Sequence, residues 1–140
     1  MSNNPLRWAI KLSFQRYLAA LPDGVFTAKA GVTVGEEHRF EFERVDVTEQ
    51  VIKFKGDLEF TGHHGGLRVR ILDPWFERTS PSAAVITIEH LALRTPFANV
   101  DQLIARDGGW YSEHVTLTAE GAGLFSGSYE PGAALEAITL

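Results

Sequence analysis

The sequence contains no cysteine. This excludes disulfide frameworks, Cys-ligated zinc, iron–sulfur clusters, thiolate-ligated metal centres and thiol nucleophiles together. Nor does it hold a run of roughly 20 apolar residues, the length needed to cross a bilayer as a helix. Positive charge is scarce: 13 Lys and Arg stand against 18 Asp and Glu, for a net charge of −5. Such a chain repels phosphate backbones, so a nucleic-acid partner is not expected, and no basic run suggests a membrane surface. The catalytic signatures His-Glu-x-x-His and Gly-x-Ser-x-Gly are missing, as are phosphate-binding glycine loops. The opening Met1-Ser2-Asn3-Asn4-Pro5 has neither a basic nor an apolar export segment. It reads as a soluble chain, either cytoplasmic or one domain of a longer exported protein.

What is present suits a folded domain. The apolar fraction is 44% of 140 residues, enough for one hydrophobic core, and a single domain over 1–140 is expected. Asn4 as N-cap and Pro5 at the first position predict a helix running to Leu21. Its stripe is Leu6, Ile10, Ser13, Phe14, Tyr17 and Leu21 at spacings of three and four. Pro22-Asp23-Gly24 stops it.

Beyond Gly24 the period becomes two. Strands are expected at 25–28, 32–34, around Phe40 and Phe42, at 52–60 with a bulge at Gly56, and at 67–71. Further strands are expected at 84–93 and 115–118, with a last element near 135–140. A short helix is expected over 100–105, capped by Asn99 or Asp101, and a turn over 120–123. The fold class expected is mainly β, an antiparallel sandwich with an N-terminal α-helix and one further short helix.

Two places carry candidate chemistry. Ser13 and Tyr17 lie one helical turn apart and share a face; on spacing alone Tyr17 reads as a core tyrosine whose hydroxyl finds a partner. His63-His64, flanked by glycines that would let a flat ligand approach, falls in a hairpin connection and by itself reads as a solvated turn.

Three segments taken in order resemble the HtaA (haem-transport-associated) domain family. They are Trp8-x-x-Lys11-x-Ser13-Phe14-x-x-Tyr17, Phe60-x-Gly62-His63-x-Gly65-x-Leu67, and Leu117-Thr118-x-Glu120-Gly121-Ala122-x-x-Phe125-x-x-x-Tyr129-x-x-Gly132. The resemblance spans essentially the whole chain. It implies a β-sandwich that binds ferric haem b, with Tyr17 as the axial iron ligand, His63 hydrogen-bonded to it and Ser13 alongside. His64, an extra histidine in the motif, is a second candidate for the His63 position or for a sixth ligand. Phe14, Phe26 and Phe60 are candidate haem walls, and Arg7, Arg16 and Arg68 are candidates for the propionates. Phenolate is a hard donor suited to ferric iron, and a histidine donating to its oxygen weakens the Fe–O bond and eases release. The resemblance therefore implies a haem uptake or transfer module, not an enzyme, with other haem-transport proteins as partners. It would act as a monomer or a haem-linked homodimer. Two alternatives are a structural or adhesive sandwich without haem and a haem-dependent enzyme using His64.

Overall fold

A computed structural model describes residues 3–140. Met1 and Ser2, the start of the polar opening expected to carry no export segment, lie outside the described residues. In chain order the strands are β1 (Leu6–Trp8), β2 (Val25–Lys29), β3 (Val32–Val34), β4 (Phe40–Val47), β5 (Val51–Lys55), β6 (Asp57–Gly62), β7 (Leu67–Leu72) and β8 (Trp75–Ser80). They continue as β9 (Ala83–His90), β10 (Leu93–Asp101), β11 (Ile104–Arg106), β12 (Gly109–Ser112), β13 (His114–Leu117), β14 (Ala134–Leu135) and β15 (Ile138–Thr139). Two short helices interrupt them, α1 (Leu12–Ala20) and α2 (Ala119–Gly123).

Twelve strands form one curled antiparallel sheet, ordered β11-β12-β15-β1-β4-β5-β8-β9-β10-β13-β14, with β3 paired to β4. The other three, β2-β6-β7, form a separate sheet. Alternation makes the core between them: Leu67, Val69 and Ile71 of β7 are buried while Arg68 and Arg70 face out. Trp8, Phe14, Phe40, Phe60, Phe97 and Phe125 fill the interior.

The expected helix from Asn4 is corrected: it begins only at Leu12. Leu6 and Trp8 are buried with Arg7 between them, a strand alternation. That strand is ordered from both sides, pairing with β4 and β15. Long-range pairing overrides the local Asn-Pro cap signal, and the Asn4 side chain instead donates to the Asp107 carbonyl. Ile10 turns the chain with a left-handed φ of 66°. Its carbonyl accepts from the Glu136 amide, and the Glu136 carboxylate accepts from the Leu12 amide. The helix N-terminus is thus capped by the last segment of the chain, since Lys11 supplies no side-chain cap.

Gly56 is not a bulge within one strand. Its φ of 156° separates β5 from β6, and the chain changes sheet there. The helix expected at 100–105 is absent: Asn99 to Asp101 complete β10, and β11 follows. Alternating burial in β10, with Ala98 and Val100 buried and Asn99 exposed, is a strand pattern that the cap signals obscured. The turn expected at 120–123 is the helix α2. Thr118, expected at the end of a strand, is its N-cap and accepts from the Gly121 amide at 2.9 Å.

Candidate phenol–imidazole site

Helix α1 orients its residues by its anchor. Phe14 and Leu18 are buried, which turns Ser13 and Tyr17 toward one side of the buried stripe. Tyr17 is not a core residue: it is 49% exposed. Its hydroxyl lies 2.6 Å from Nε2 of His63. The phenol donates when that nitrogen is unprotonated; once the phenol has lost its proton, the imidazole donates instead.

His63 comes from the turn His63–Gly65 joining β6 to β7. Both His63 and His64 take left-handed backbone, φ 49° and 56°, a conformation that costs energy in residues other than glycine. Asp23 compensates. Its carboxylate accepts from the His63 amide at 3.1 Å and from the His64 amide at 2.6 Å. The His64 amide is the main reason its carboxyl sits below the usual range, with burial opposing. The tripeptide that ends α1 therefore also fixes the turn that faces Tyr17.

The two histidines are separated by this turn. His63 meets Tyr17, whereas the His64 side chain is 98% exposed, with Nδ1 3.8 Å from Asp23. Ser13 is exposed and bonds the hydroxyl of Tyr129. Burial pushes the Tyr129 phenol up, the Ser13 bond draws it back, and nearby Tyr17 raises it again. Phe14 and Phe60 lie beneath the site, wholly buried and edge-on at 5.3 Å. Arg7 is committed to Glu41 and Arg68 to Glu59. Arg16 and Phe26 line a cavity from which Tyr17 is absent.

Sequence reasoning missed two parts. In the sequence Asp23 reads only as part of a helix stop, although an Asp beside a Gly-flanked turn is a ready amide acceptor. In the sequence Tyr129 stands as part of a motif, without a role.

The domain is mainly β and presents a helix-borne phenol against a turn-borne imidazole, with this polar pair at the surface. The chain belongs to the HtaA family: the family model described as Htaa matches residues 3–140. No curated protein matches the sequence. Among solved structures, the C-terminal domain of HtaA from Corynebacterium glutamicum is similar with a TM-score of 0.78 at 22% identity, covering 99% of this chain and 96% of that one. HtaB of the same organism, described as a heme binding protein, gives 0.78 at 17% identity, covering 99% and 91%. The N-terminal domain of HtaA gives 0.76 at 22% identity, covering 98% and 94%. At these identities the likeness establishes the shared fold.

Proposed function

We propose that this domain binds ferric haem b as cargo for uptake or transfer to another haem-transport protein, and that it is not an enzyme. The observation that carries the reading is the half-exposed Tyr17 hydroxyl held 2.6 Å from His63.

The donor chemistry fits. Among the described residues no three His, Cys, Asp or Glu side chains gather as a cage for a bare ion. A single outward phenol suits iron that arrives with its other donors already in place. Tyr17 would hold the iron as phenolate, and haem supplies a ferric centre that favours the loss of the phenol proton. His63, its Nε2–H donating to the same oxygen, draws charge from it and keeps the bond weak enough for release. Asp23 fixes the histidine's backbone, and Ser13 ties Tyr129 beside the ligand. Phe14 and Phe60 support the helix from below rather than facing the cargo. HtaB, the structural neighbour described as a heme binding protein, supports haem as the ligand.

A haemin titration followed by absorbance tests this on wild type and Tyr17→Ala. A saturable ferric spectrum of the phenolate type, lost in Tyr17→Ala, is expected. Binding that survives the substitution unchanged would move the ligand elsewhere and overturn the assignment.

A further inference from the structure

Helix α1 has a second flank. At 100° per residue, Leu12, Gln15 and Ala19 point away from the side that carries Ser13 and Tyr17, and Arg16 lies between the two sides. Between this flank and β2 lies an open cavity of about 570 Å³, within the range of small-molecule sites. Apolar side chains dominate its walls, among them Leu12, Val25, Phe26 and Phe60. Val25 and Phe26 leave 55% and 46% of their surface uncovered. Ser13, Tyr17 and His63 are not among the walls.

Three polar residues stand in this apolar setting, Gln15, Arg16 and His38. Arg16 has no ion pair or hydrogen-bond partner among the described residues. Arg7 and Arg68, by contrast, are already paired with carboxylates. His38 also lines the cavity, and it sits on strained backbone: Glu37 and His38 have φ of 56° and 60°. The strain is held by Gln15, whose side-chain amide donates to the His38 carbonyl at 2.9 Å and to the Ala9 carbonyl at 2.7 Å. An apolar slot with an unpaired guanidinium and a nitrogen donor is complementary to a flat apolar body with a carboxylate and a bound metal.

We propose that this cavity is a second docking position for an iron porphyrin, separate from Tyr17. The macrocycle would lie against Val25 and Phe26, with a carboxylate on Arg16 and the iron within the province of His38. The choice of porphyrin rests on the haem reading above; the site itself rests on the cavity and its unpaired cation.

The test is the number of haemin equivalents taken up, followed by absorbance, in wild type, Tyr17→Ala, Arg16→Glu and His38→Ala. Wild type should take two equivalents and Tyr17→Ala one. Arg16→Glu should weaken the second equivalent roughly tenfold or more, the effect of one charge-assisted contact, and leave the Tyr17-dependent spectrum as it was. His38→Ala should alter the spectrum of the second equivalent only. Both Arg16 and His38 are exposed, so circular dichroism should report an intact fold in each variant. A wild type that saturates at one equivalent overturns the second site. So does a second equivalent that ignores both Arg16→Glu and His38→Ala, which would mark it as surface adsorption. If the Tyr17-dependent equivalent is missing while the Arg16-dependent one remains, the Tyr17 assignment falls and the second site stands.

Discussion

Tyr17 and His63 are 46 residues apart in sequence, and 2.6 Å separates their polar atoms. That hydrogen bond gives His63 a measurable signature. A donor to the phenolate oxygen withdraws charge from the Fe–O bond. In haem-loaded His63→Ala the Fe–O stretching frequency, read by resonance Raman, should therefore rise; an unchanged frequency would remove His63 from the ligand. Asp23 makes a different prediction, about pH. Its carboxyl is held below its ordinary value by the amides of His63 and His64. A depressed folded pKa means that the carboxylate's stabilisation is complete above the unfolded value and is lost as pH falls through the folded one. The window lies at roughly pH 4 and below. Exchange protection of the two histidine amides should be full at neutral pH and disappear in that acid range. In Asp23→Ala it should already be missing at pH 7, and protection persisting there would show that the turn holds itself.

Among the elements, α2 has the least room. A Cβ at Gly121 would stand 2.1 Å from the Phe97 carbonyl oxygen, which is fixed in β10. Neither backbone can yield cheaply, so Gly121→Ala should cost about 1–3 kcal/mol in urea denaturation; a change within error would mean that α2 is free to lift. Such close backbone approach is invisible in sequence, where 120–123 reads as a turn because two of its four residues are glycine. The strands with strict alternation were legible, β7 above all, because burial on one face writes itself into every second residue. Leu6-Arg7-Trp8 was not, since three residues fit a helical stripe as well as a strand, and the pairing with β4 and β15 that decides between them is distant in the chain. Gly56 was legible as a special backbone position but not as a change of sheet. At the site, Tyr17 and His63 came from motif resemblance. Their contact, and the outward position of His64, required the left-handed turn that Asp23 holds.

Across the whole molecule an aromatic chain ties the two sheets together through α1. Trp8 on β1 packs edge-on to Phe97 on β10 at 5.8 Å, and Phe97 meets Phe125 at 6.1 Å. Phe125 meets Phe14 at 5.0 Å, Phe14 meets Phe60 at 5.3 Å, and Phe60 meets Phe40 at 5.7 Å. Phe14 is the middle of that chain, and it belongs to the helix that presents Tyr17. Stability and binding should therefore separate cleanly between two residues three positions apart. Phe14→Ala leaves a cavity where both sheets and α1 meet, and should cost about 3–5 kcal/mol. Tyr17→Ala removes a half-exposed ring with little packing, and should shift stability by no more than about 0.5 kcal/mol while abolishing phenolate ligation. Urea denaturation and haemin titration of both variants decide it. A large stability loss in Tyr17→Ala would mean that the phenol–imidazole bond braces the fold, and its service to a ligand would then be secondary. A small loss, with binding gone, would place the phenol at the surface for its ligand alone, and leave Phe14 and the aromatic chain to hold the helix that carries it.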